Sequence, residues 1–168
     1  MVLRNRRESA GAILIDGATA PSEEMRGRAL RPWEDMMTTM TAKIVHCSID
    51  RDWQDVYHFA GKPENMPLWA SGLATGLDRD GDDWVARGVL GTVRVSFVPE
   101  NPFGIIDHTV TIESGLRVYN ALRIVPNGDG CEVMFTLLKQ PGMTDAQFAA
   151  DAAHVEKDLH ALKALMEK

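Results

Sequence analysis

Two polar side chains stand in rows that are otherwise apolar. In the run DHTVTI and the residue before it, Ile106, Val110 and Ile112 share one face of a strand, and His108 falls in that row, opposite Asp107, Thr109 and Thr111. In the next strand Val118, Leu122 and Ile124 form the apolar row with Asn120 among them, while Arg117, Tyr119, Ala121 and Arg123 face the other way. A three-residue hairpin at Glu113, Ser114 and Gly115, with Gly115 in the left-handed position, sets Ile112 against Leu116, Val110 against Val118 and His108 against Asn120. A two-residue turn at Ser114-Gly115 would set Thr109 against Asn120 and mix the rows, so the three-residue turn is the expected one. An imidazole beside an amide in an apolar wall can do two things. It can orient a polar group as a satisfied inner histidine, or it can move a proton at a carbon next to a carbonyl, which makes His108 the catalytic candidate. Tyr119 and Arg123 have the wrong parity to join it unless a bulge re-aims them.

The elements that would hold this pair follow from periodicity. AKIVHCSI alternates as a first strand, then Asp50 can cap a helix whose Trp53, Val56, Tyr57 and Ala60 share one face, and Pro63 can open a second short helix. Strand-like runs follow near 73–78, 83–89, 91–98, 105–112, 116–125 and 131–139, separated by DRDGD, PENPFG, ESG and PNGDG. Val93, Val95 and Phe97 form one inward row, and Val133, Phe135 and Leu137 another. Thr144 with Gln147 makes a capping box for a long helix with an apolar row of Phe148, Ala152, Val155, Leu159, Leu162 and Met166. The predicted class is α+β: seven antiparallel strands in a curved sheet wrapped around the C-terminal helix, with two short helices between strands 1 and 2.

Two stretches raise the question of what fills the interior. The elbow GKPENMPLWASGL carries Met66, Leu68 and Trp69, apolar bulk that a solvated connector does not need. The first half of the long helix is small, with Ala146, Ala149, Ala150, Ala152 and Ala153. The space beneath must be filled by Met66 and Trp69, by Trp84 of the third strand, or by a ligand; alternatively, alanine serves as a helix former that lets helix and sheet approach closely.

Other chemistry is weakly represented. His154 and Asp158 lie four apart and His160 follows, yet no third ligand converges, and Asp151, Glu156 and Lys157 suggest a solvated face, so no metal site is predicted. No phosphate-binding glycine loop, dinucleotide fingerprint, HExxH or nucleophile elbow occurs, and no cofactor is expected. Residues 1–39 hold six Arg against six acids and have no sustained period, so they read as a loosely ordered extension, with Met36, Met37 or Met40 as alternative starts and residues 40–168 as the folded domain. The apolar run AGAILI is too short for a secretory leader. The whole net charge of −6 therefore falls on residues 40–168, which argues against a nucleic-acid partner. No run is long enough to span a bilayer, and Cys47 and Cys131, in apolar strands without CxxC spacing, read as reduced buried thiols of a cytoplasmic protein.

The order of elements, with PENMPLWASG, DHTVTI, RIVPNGDGCEVMFTLLKQPGM and FAADAAHVEKDLHALKALME, resembles the polyketide cyclase/dehydrase and lipid-transport family of the SRPBCC, START-like and Bet v 1-like superfamily. The likeness runs from about residue 42 to 167. It implies a helix-grip fold with a deep pocket between sheet and terminal helix, gated by the two short helices, with Met66, Leu68 and Trp69 of the elbow facing inward at its mouth. The expected function is binding of a small, largely apolar molecule, with Met66, Trp69, Trp84, Phe97 and Phe135 as walls and His108 and Asn120 as the polar contact. A cyclase or dehydratase using the same pocket is the second reading, and a protein-gripping module the third, disfavoured because the outer rows are polar.

Overall fold

The computed structural model describes residues 39–73, 76–88 and 91–168; the N-terminal extension, apart from its last residue, lies outside the described residues. The strands are β1 (Ala42–Ile49), β2 (Asp78–Asp80), β3 (Asp83–Gly88), β4 (Gly91–Phe97), β5 (His108–Thr111), β6 (Arg117–Asn127) and β7 (Gly130–Leu138), with helices α1 (Trp53–Ala60) and α2 (Asp145–Met166). They form one curved antiparallel sheet in the order β1-β7-β6-β5-β4-β3-β2. Strands β2 to β7 follow one another as a meander, and β1 pairs with β7, bringing the start of the domain beside its last strand. α2 lies over β1 and β7 with Ala152, Val155, Leu159 and Leu162 buried, the inner stripe expected from its spacing. Its start is the expected capping box, in which the Thr144 hydroxyl accepts from the Gln147 N–H and the Gln147 side chain accepts from the Thr144 N–H.

Three expectations are corrected. Asp52, not Asp50, caps α1, its carboxylate accepting from the N–H groups of Gln54 and Asp55, whereas the Asp50 N–H donates to Glu167 at the end of α2. Where a strand is expected at 73–78, the chain forms a second 3₁₀ turn at Ser71–Leu73 after the first at Pro63–Leu68, and β2 is confined to Asp78–Asp80. The strand expected at 105–112 is ordered as a strand only from His108 to Thr111, for a reason that lies in the site itself.

Candidate functional site

His108 and Asn120 are directly opposite one another, and the hairpin that sets them there is the expected three-residue one, with Gly115 at φ 85° and the Ile112 N–H bonded to the Leu116 carbonyl. Both side chains are buried. The His108 Nδ1 lies 3.0 Å from the Ile106 carbonyl, which can only accept, so Nδ1 carries the proton. In the neutral ring Nε2 then accepts from the Asn120 amide at 3.2 Å. Burial pushes the His108 pKa below its ordinary value, against the opposing pull of the Ile106 carbonyl and the Asp107 charge, and keeps the ring neutral.

This geometry requires that a sheet bond be opened. Ile106 and Leu122 face one another, and the Ile106 N–H donates to the Leu122 carbonyl at 2.8 Å, but the reciprocal bond is replaced. The Leu122 N–H donates instead to the Asp107 carboxylate at 3.0 Å, which leaves the Ile106 carbonyl for His108. That exchange makes β5 begin at His108 and not at Ile105. Asp107 looks to the outer face yet is buried, because Arg123 and Tyr119 bond over it. Burial alone would raise its carboxyl; the Arg123 guanidinium, the Tyr119 hydroxyl and the Leu122 N–H outweigh it and hold it below the usual carboxylate range. Tyr119 and Arg123 thus keep the outward parity expected of them, but they orient His108 through Asp107.

Most of the buried apolar side chains fall into two groups. One joins β1, β6, β7, α1 and α2 with Met66, Trp69 and Phe135; the other is Ala86, Val93, Val95 and Val110, with Trp84 partly buried against it. Leu77 and Phe97 touch both. His108 and Asn120 sit at the seam, His108 on β5 two residues before Val110 of the second group and Asn120 on β6 two residues before Leu122 of the first. Phe97 flanks the imidazole with ring centres 5.3 Å apart. Leu68 corrects its expectation: it is 61% exposed, whereas Met66 and Trp69 are buried. The reason is the 3₁₀ turn, whose three-residue repeat puts Met66 and Trp69 on one side and Leu68 on another. A small cleft of about 100 Å³ opens beneath α1 between Tyr57, Gly61, Phe97 and Ile106, with His58, Lys62 and Glu100 at its rim. It is lined by α1 and the β4–β5 loop, not by α2.

The inner side of α2 contradicts the expected solvated face. Glu156 and Lys157 are exposed, but Asp151 is buried, and burial raises its carboxyl pKa, only partly offset by His154. His154 and Asp158 are also largely covered, because Ser71 of the elbow converges on them. The Asp158 carboxylate accepts from the Ser71 N–H at 3.1 Å and from its hydroxyl at 2.7 Å, so the hydroxyl oxygen accepts from His154 Nε2 at 2.8 Å. Ser71 and Asp158 both approach Nε2, whereas a nucleophile relay needs the carboxylate on the far ring nitrogen. The trio is a latch between the elbow and α2. Asp158→Ala is expected to speed amide hydrogen exchange across residues 66–73 at least about tenfold, through loss of charge-assisted bonds. Unchanged exchange would mean that Met66 and Trp69 hold the elbow by packing alone.

Solved structures with this arrangement identify the architecture. DynU16, a protein of the dynemicin biosynthetic locus, superposes with a TM-score of 0.60 at 12% identity over 76% of this chain; the chain spans 47% of DynU16, about half its length. The Aha1 dimer protein from Colwellia psychrerythraea matches with a TM-score of 0.60 at 14% identity, over 76% of this chain and 97% of that one. Ara h 8.0201, a Bet v 1 homologue, matches with a TM-score of 0.54 at 9% identity, over 76% and 97%. The chain has the helix-grip fold that these structures share. No family model and no curated protein matches it.

Within that helix-grip frame, reading by strand parity found the His108–Asn120 pair but missed Asp107, Asp151 and the Ser71 latch. A signal for Asp151 was present: it lies three residues after Phe148 and four before Val155, on the apolar stripe. Among the described residues no trio of metal-ligating side chains forms a metal site, and no helix is long and apolar enough to cross a membrane.

Proposed function

We propose that the protein binds a small, largely apolar molecule between the sheet and α2, with Met66, Trp69, Trp84, Phe97 and Phe135 as walls and the His108–Asn120 pair as the polar contact. The observation that carries this reading is the divided core. α2 covers the β1–β7 half of the sheet, while the inward valines of β4 and β5 belong to a separate buried group. The two groups are joined through the partly buried Leu77 and Phe97, and a polar pair at that seam suits a guest that has both apolar faces and a polar atom. The two buried thiols, that of Cys131 pushed by burial up to about 11, suit a reducing, cytoplasmic setting. The net charge of −6 disfavours nucleic acid as the partner.

The test is native mass spectrometry of the chain purified from its own host, before and after His108→Leu or Asn120→Leu. A retained small molecule that is lost from both variants, with unfolding free energy within about 1 kcal/mol of the parent or higher, is the expected result. Variants that gain stability and keep the molecule would reduce the pair to a polar contact of the core.

A cyclase or dehydratase is the second reading: Asp151 is a second buried titratable group, although its charged neighbour is His154 on α2 and not His108. Against it, both ring nitrogens of His108 are engaged, so Asn120 would have to release Nε2 before a proton could move. A turnover rate that depends on pH and disappears in His108→Ala would favour the enzyme.

A further inference from the structure

Trp69 carries a donor that no described residue accepts from. Its indole Nε1–H is enclosed and has no hydrogen-bond partner among the described residues, in a residue 6% exposed. Buried N–H groups are almost always paired, so an enclosed orphan calls for a partner from outside the chain. The main chain around Trp69 is pinned at both ends. On one side the N–H groups of Trp69 and Ala70 donate to the Met66 carbonyl; on the other, Ser71 is tied to Asp158 and His154 on α2. A phenylalanine would bring similar apolar bulk without the unpaired donor.

The surroundings restrict what the partner can be. Trp69 packs against apolar side chains, Met66 and Phe135 among them. One neutral indole N–H cannot replace the hydration that an ionised carboxylate or phosphate would lose on entering such a wall. The fitting acceptor is an uncharged oxygen on an otherwise apolar skeleton.

We infer that the molecule bound inside the fold is a neutral, largely apolar compound bearing a carbonyl or ether oxygen, and that this oxygen takes the Trp69 indole N–H. The inference rests on the ligand-binding reading and narrows its chemistry: Trp69 is a polar determinant of specificity, not only a wall.

A matched pair of probes tests it with the full chain. Fluorene and 9-fluorenone share one rigid tricyclic skeleton and differ in a ketone oxygen. By equilibrium dialysis the parent protein is expected to bind 9-fluorenone about tenfold tighter than fluorene, the worth of one enclosed hydrogen bond, and Trp69→Phe to bind the two equally. In the parent protein labelled with ¹⁵N, one indole N–H resonance should move downfield with 9-fluorenone and stay with fluorene, a readout that does not depend on the variant folding. Equal affinity of the parent for the two probes, or a ketone preference that survives Trp69→Phe, overturns the inference while leaving the binding reading standing. Failure of both probes to bind overturns the binding reading, and the inference with it.

Discussion

Asp107→Ala is expected to lower the unfolding free energy by about 2–4 kcal/mol at pH 7. The loss comes chiefly from the Leu122 N–H, which would be buried without its acceptor, and from the charge-assisted bonds to Tyr119 and Arg123. Arg123 is half exposed, so its own share is screened and small. Urea unfolding measures the total. The same variant should disturb the inner face: if Leu122 recovers the Ile106 carbonyl, His108 loses the partner of Nδ1–H, and its tautomer, read by ¹⁵N chemical shifts, should change. A loss below about 0.5 kcal/mol with an unchanged tautomer would remove Asp107 from the account of the site.

Acid should act on the same residues in sequence. Burial lowers the His108 pKa, so in the unfolded chain the ring gains its proton more readily; stability falls as pH drops below about 6.5 and continues to fall until the folded value is passed. The Asp107 carboxyl is also lowered in the fold, so its contribution is present above about 3.9 and is lost as pH falls through the folded value. Asp151 has the opposite sign: its raised carboxyl lets the folded state take up a proton first, which opposes acid unfolding. Urea midpoints measured from pH 8 to pH 3 should therefore fall in two stages, and Asp107→Ala should shrink the lower one, which Glu132 shares.

Gly104→Ala is expected to be as costly, about 2–5 kcal/mol or roughly a 10 °C fall in Tm. Gly104 has φ 69°, and a Cβ there would lie 2.1 Å from the Ile124 carbonyl oxygen, while the Ile124 N–H donates to the Gly104 carbonyl at 2.9 Å. The loop cannot retreat without dragging Ile106, Asp107 and His108, which follow within four residues. Gly128→Ala is the control, since φ is 62° but nothing lies within 4 Å of the added Cβ, and only the backbone cost of about 1 kcal/mol remains. Equal losses in the two variants would show that the collision with Ile124 is relieved at no cost.

What local order can dictate was legible in the chain itself. Strand alternation needs only a period of two, so the inner rows of β4 to β7 and the facing of His108 and Asn120 followed from residue order and one turn type. The capping box and the apolar stripe of α2 were equally local, each involving residues within one or two helical turns. The α+β class, a curved sheet around the last helix, followed from the order of elements.

What depends on groups far apart in sequence was decided by tertiary structure. Asp107 takes the N–H of Leu122, fifteen residues away, because the strand pairing brings them together and the dry environment makes an unpaired group costly. Ser71 meets Asp158, eighty-seven residues on, and no periodicity in either segment predicts it. Asp151 reads as a surface charge by type and becomes an inner residue only when α2 lies down on the sheet. Periodicity reports which way a side chain points from its own element; which partner waits there is set by how the elements pack.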